Sequence, residues 1–262
     1  MLSKRVAVCF SGQIRDWHTA TKNILHYFST DHIANVTVDF FIHTWDINTW
    51  RKPKQHHHVF KNKPHKDLKK IVEAYNPKKY HMSSYDETRW PNSEPWDPLF
   101  YSFEYSVLLK QQYELENSFT YDVVVKARPD TVYEPQQRFP FEHRMPAGTC
   151  YTTTTVSKFP KEFNKHCFDD VMFFGDSKTM DVMAGLYKYY AVKRKNNKDA
   201  MQQYEYHLGP GTLLYEYAVK NNIHPGSWPT NYAVIRSTMR DHELDSIDDY
   251  EKIKRLWQEW YI

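Results

Sequence analysis

Lys126, Arg128 and Asp130 stand two residues apart in the stretch Tyr121–Tyr133, YDVVVKARPDTVY. In an extended backbone that spacing sends all three side chains to one side. Two fixed cations and a carboxylate can hold a metal and a diphosphate. They can equally be the salt-bridged tip of a buried strand. A second acidic place is Asp169-Asp170, directly before the apolar run Val171–Phe174. Neighbouring carboxylates on a strand point to opposite faces, so only one of the two faces a given site. The bland alternative is one acid capping a turn and the other pairing with a surface cation. Ser11-Gly12-Gln13-Ile14-Arg15 follows another apolar run. Amides at the start of a helix there favour an anion, Gly12 admits a ligand to the backbone, and Arg15 adds a charge-assisted hydrogen bond. Thr44-Trp45-Asp46 closes a further run, either as a polar and aromatic ligand wall or as a core indole beside a turn-capping acid. His207, before Gly209-Pro210-Gly211, is placed to be a ligand, though a lone histidine is commonly structural.

The elements that position these residues follow from periodicity. Val6–Phe10 reads as a strand, and Trp17, Ala20, Ile24, Leu25 and Phe28 recur at helical spacing behind an Asp16 cap. Val36–Trp45 and Lys79–Ser84 read as strands, with a helix marked by Leu68, Ile71, Val72 and Tyr75 between them. Tyr85–Pro98, rich in Trp and Pro, reads as a loop, and Phe100 to Leu115 as a long helix. Three β-branched residues, Val123-Val124-Val125, predict a strand buried on both faces, stopped by Pro129. Met145–Thr155 and Asp169–Gly175 are two more strand candidates. Ser177 is placed to cap the helix after them, a turn at His207–Gly211 leads into another, and Ser246–Ile262 is an amphipathic helix. Strands alternating with helices predict an α/β fold with a largely parallel sheet, whose carboxyl ends carry the four polar clusters.

The 262 residues are enough for a substantial core, and no internal repeat or Gly/Ser linker divides them. They read as one domain, with a nucleotide-binding half of about 1–135 and an acceptor-side half of about 136–262. The 20 Tyr and 8 Trp supply walls that stack on sugars and bases, although cores use them as well. Cys9, Cys150 and Cys167 are odd in number and unevenly spaced, against a disulfide framework or a zinc knuckle. No apolar run reaches membrane-spanning length, and MLSKRVAVCF is too short for a signal peptide, so a cytoplasmic protein is expected. Arg51–Lys70, with His56-His57-His58, and Lys193–Lys198 are basic segments that read as solvated loops or as a surface for DNA. There is no phosphate-binding loop, GxGxxG, GxSxG, CxxC or HExxH, which disfavours phosphate-loop kinases, common dehydrogenases, α/β-hydrolases and zinc hydrolases.

Ser11-Gly12-Gln13-Ile14-Arg15, Phe41-Ile42-His43-Thr44-Trp45-Asp46 and Val124-Val125-Lys126-Ala127-Arg128-Pro129-Asp130 together resemble GT-A-type glycosyltransferases. The likeness is to bacterial and viral members with SGQ-x-R, FIHTWD and RPD motifs, and it covers the first half best. It implies a GT-A-like, Rossmann-like sheet and transfer of a sugar from a nucleotide-sugar, UDP-sugar by default. The acceptor hydroxyl would be on a glycan or on hydroxymethylated cytosine in phage DNA, at host-cytoplasmic sites if viral. Ser11, Gly12, Gln13, Arg15, Trp45, Asp46, Lys126 and Arg128 would bind the nucleotide and diphosphate. Asp130 would occupy the DxD position and hold Mn²⁺ or Mg²⁺, with help from His207, while Asp170 or Asp169 would be the general base. Arg128 replaces the first DxD acid, so Arg128 and Lys126 could instead supply the metal's charge; the metal-assisted form is the expectation adopted. A non-catalytic sugar- or nucleic-acid-binding module on a decayed transferase fold is the alternative.

Overall fold

The computed structural model describes residues 3–14, 17–46, 49–50, 60–61, 68–85, 96–154, 167–196, 209–234, 251 and 254–255. The chain runs β1 (Lys4–Ser11), α1 (Trp17–Tyr27), β2 (Val36–Trp45), β3 (Thr49–Trp50), β4 (Phe60–Lys61), α2 (Leu68–Tyr75) and β5 (Lys79–Ser83). Next come α3 (Asp97–Asn117), β6 (Val123–Ala127), β7 (Thr131–Tyr133), β8 (Thr149–Thr154) and β9 (Met172–Gly175). After these come α4 (Ser177–Ala184), α5 (Leu186–Asn196), α6 (Pro210–Lys220), β10 (His224–Pro229) and β11 (Tyr232–Val234).

Seven strands form one sheet in the order β5-β2-β1-β6-β9-β8-β10. Neighbours are parallel except around β9, which runs against both β6 and β8. Two-residue alternation along the strands feeds two cores. Val6, Val8, Phe10, Val123 and Val125 pack with Ile24 and Tyr27 of α1 and Ile71 and Tyr75 of α2. Ala7, Cys9 and Val124 pack on the other face with Phe100 and Phe103 of α3, Met180 and Met183 of α4 and Leu213 of α6. The fold is therefore α/β, a mixed and mainly parallel sheet flanked by helices. Val123, Val124 and Val125 are wholly buried on both faces of the sheet, in a strand between parallel β1 and antiparallel β9.

From β1 the chain steps outward through β2 to β5, then returns to place β6 on the other flank of β1. The strand order thus reverses between β1 and β6, and open α/β sheets bind ligands outside the carboxyl ends at such a point. The antiparallel strand β9 enters the sheet from that same end. Beyond the sheet, β7 and β11 form a two-stranded antiparallel ribbon.

Some local details differ from the sequence reading. α3 starts at Asp97, inside the stretch expected as loop, because Pro98 falls in the first turn, where no backbone donor is needed. The cap of α4 is Asp176, whose carboxylate accepts from the Thr179 amide at 3.0 Å, rather than Ser177. β10, HPGSWP, has strand-averse Pro and Gly, yet it lies at the sheet edge, where a missing donor is tolerated. The expected C-terminal helix lies outside the described residues except for 251 and 254–255. Lys110, fully buried, joins α3 to α4 by donating to Glu114 at 2.9 Å, Asp181 at 2.6 Å and Ser177 at 2.7 Å. Those three acceptors match the three ammonium protons. Cys9 and Cys150 are free and buried, and no helix among the described residues is long and apolar enough to cross a membrane.

Candidate functional site

The carboxyl end of β1 is tied down from three sides. Gly12 has φ +113°, a conformation L side chains rarely adopt, and no atom lies within 4 Å of where its Cβ would stand. Its N–H donates to Ser102 Oγ of α3 at 2.7 Å, and the same hydroxyl meets His43 Nδ1 of β2 at 2.8 Å. His43 Nε2 lies 2.9 Å from Ser83 Oγ at the end of β5. Burial, reinforced by nearby His81, pushes the His43 imidazole down to about 3, so the ring is neutral. A neutral ring offers one donor and one acceptor, and two hydroxyls satisfy either tautomer. The SGQ and HTWD segments are thus fastened through one serine of α3.

Trp45 is enclosed, at 1% exposure, with its ring against His43, Tyr85 and Tyr101. Asp46 accepts from the Tyr85 amide at 2.8 Å and so closes the turn after β5. Both stand at the carboxyl end of β2, Trp45 as a core indole and Asp46 as a turn-closing acid. Gln13 is half-buried at the corresponding end of β1. Arg15 and His207 lie outside the described residues, as do most of Arg51–Lys70; of Lys193–Lys198, residues 193–196 form the end of α5 and the rest lie outside the described residues.

β6 ends at Ala127, and the chain turns through Pro129 and Asp130. Arg128 Nε and Nη2 each donate to a different oxygen of Asp130, both at 2.8 Å. The Asp130 side chain is 1% exposed and that of Arg128 18%, so a buried acid holds a partly exposed arginine. Lys126 is directed elsewhere. Its ammonium, buried, donates to the backbone carbonyl of Asp170 and reaches that of Val171 at 3.5 Å. Desolvation brings it down to about 8, opposed by the charge of Asp170.

The acidic turn itself is built from four elements. The Asp169 amide donates to Thr152 Oγ1 at 2.6 Å, and its carboxylate accepts from the Val171 amide at 3.0 Å and Thr153 Oγ1 at 3.2 Å. Tyr232 of β11 donates its hydroxyl to the same carboxylate. Burial, and then the charge of Asp170, raise Asp169 to about 6 against those hydrogen bonds. Asp170, partly exposed like Asp169, takes no side-chain hydrogen bond among the described residues. The two acids thus differ in their hydrogen bonds: three donors meet the Asp169 carboxylate and none meets that of Asp170 among the described residues.

Among the described residues, four buried polar atoms without a hydrogen-bond partner stand at this end: Ser11 Oγ, Thr44 Oγ1, Thr131 Oγ1 and Trp17 Nε1. They belong to the ends of β1 and β2, the start of β7 just past the Arg128–Asp130 turn, and the start of α1. Buried donors and acceptors are nearly always paired, so such a concentration calls for a polar ligand or water. Sequence reading included Ser11 and Thr44 but missed Thr131, Trp17, Ser102 and Tyr232. Tyr232 is 63 residues from Asp169, and no local pattern joins them.

The resemblance implies Mn²⁺ or Mg²⁺ at Asp130. Both carboxylate oxygens there are on Arg128, and the described residues contain no group of three or more His, Cys, Asp or Glu that could hold a metal ion. Among the described residues the partner of Asp130 is thus a guanidinium, and His207, the other expected ligand, lies outside them. Compared with protein-family models and with curated proteins, the chain matches none.

Proposed function

We propose that the protein is a glycosyltransferase of GT-A-like architecture, moving a sugar from a nucleotide-sugar, first choice a UDP-sugar, to an acceptor hydroxyl. The observation that carries this reading is the cluster of unpartnered buried polar atoms at Ser11, Thr44, Thr131 and Trp17 around the reversal of strand order. The open backbone at Gly12 and the aimed guanidinium of Arg128 support a diphosphate lying across that point.

In this reading Asp170 takes the proton of the acceptor hydroxyl while its oxygen bonds to the anomeric carbon. The bond from that carbon to the diphosphate breaks, and the leaving group keeps the electron pair. Arg128, pre-aimed by Asp130, meets the charge that develops there without moving first. Asp169, held by Thr153, Tyr232 and the Val171 amide, orients the turn.

A thermal-shift panel of UDP-, GDP-, CMP- and dTDP-sugars tests the reading, because a ligand that binds only the native state raises its melting temperature. One nucleotide class should stabilise the protein and then be turned over. No shift with any of them would remove the reading. Salt-dependent binding of duplex DNA would favour a nucleic-acid acceptor over a glycan.

A further inference from the structure

We infer that Lys126 is a positioning residue for the proposed base: planted in β6, it holds the turn that presents the Asp170 carboxylate to the crevice. The inference rests on the transferase reading and deepens it. Lys126 shares a parity with Val124 and pairs in register with Phe173 of β9, so its side chain runs beneath the entry of β9. There the ammonium meets the carbonyls of Asp170 and Val171, with the Phe173 ring 5.6 Å away. These carbonyls lie just before β9 begins, outside its register with β6. A buried ammonium is costly unless its protons are accepted, so lysine and turn stabilise one another.

The other contacts of the turn converge on Asp169, through Thr152, Thr153 and Tyr232. Only Lys126 among the described side chains grips the Asp170 peptide itself. It also sets a positive charge close to the two adjacent carboxylates. An apolar side chain at 126 would leave both carbonyls unpaired and the two acids without their cation. The cation nearest the acids is thereby assigned to the base, and the neighbouring Arg128 to the diphosphate.

The experiment compares pH–rate profiles of sugar transfer or donor hydrolysis for the full chain and Lys126→Met, with UDP affinity measured by calorimetry. Turnover should fall on the order of 100-fold while donor KM and UDP affinity stay within about threefold, and the acidic limb should move up by about one pH unit. An unchanged limb, with activity lost only in proportion to folded protein, would make Lys126 merely structural and overturn the inference. If Lys126→Met does not fold, the wild-type alkaline limb decides: turnover should decline as Lys126 loses its proton near pH 8. A flat profile to about pH 10, the ordinary lysine range, overturns the inference too. A wild type that turns over no nucleotide-sugar removes the transferase reading, and this inference with it. A wild type that does, beside an indifferent Lys126→Met, removes the inference alone.

Discussion

Arg128 and Asp130 face each other through two parallel hydrogen bonds of 2.8 Å, the acid enclosed and the guanidinium reaching solvent. Two residues that read in sequence as a broken metal motif form a bidentate pair. The acid fixes the direction of the arginine, which in the proposed transferase would meet the diphosphate. Asp130→Asn should weaken UDP binding about tenfold and cost roughly 1–3 kcal/mol of stability, because a charge-assisted fork becomes a neutral contact. Calorimetry in chelator and in Mn²⁺ checks this. Wild-type binding should survive the chelator, and Mn²⁺ should not rescue the variant.

Ser11→Ala and Thr131→Val test the buried hydroxyls. In the free protein each change removes an unpartnered polar atom, so stability should hold or rise, by up to about 1 kcal/mol. Nucleotide affinity should fall, on the order of tenfold for a lost hydrogen bond to a charged ligand. Urea denaturation and calorimetry on the same samples read both. A loss of stability without a loss of affinity would show that these atoms serve the fold.

Asp170→Asn should lower turnover by about 10²–10⁴-fold with little change in melting temperature, because the carboxylate takes no hydrogen bond among the described residues. Asp169→Asn should instead lower stability measurably, since three donors converge on that carboxylate. A thermal melt beside a turnover assay separates the pair.

His43 gives the pH dependence a sign. Its folded value near 3 lies below the ordinary histidine value of 6.5, so on acidification the unfolded chain takes up the proton first. Stability from this group is therefore fully present above about pH 6.5 and is lost as pH falls toward 3, by up to about 1.4 kcal/mol per pH unit. Asp169 acts the other way: raised to about 6 from 3.8, it favours the folded state as pH drops through that window. The two partly offset below pH 6. The difference between wild type and His43→Gln in urea midpoints at pH 7, 5 and 4 should isolate the histidine, with the gap between them narrowing as pH falls.

The α/β alternation was legible because Val123–Val125 and Val36–Trp45 are apolar runs and Trp17 to Phe28 keeps a helical period. Such patterns report burial, which is what a sheet between two helical layers demands. The direction of β9 was not legible. A four-residue strand is equally apolar whichever way it runs, and only its partners β6 and β8 fix the sense. At the site, sequence spacing grouped Lys126, Arg128 and Asp130 on the assumption of an extended chain. The strand ends at Ala127, and the turn folds Asp130 back onto Arg128 while Lys126 reaches across to β9. Charges in a short stretch show what chemistry is available. The next strand over shows who receives it.

The reversed run of β9 has a consequence for how such a protein can diversify. The strands that present Gly12 and Arg128 to the crevice leave the sheet there, whereas the chain bearing Asp170 arrives from the crevice and then enters the sheet. Insertions or deletions between Thr154 and Cys167 therefore need no change of register in β1 or β6. In the proposed transferase, acceptor choice and donor grip would then be separately adjustable, like exchangeable jaws on a fixed vice.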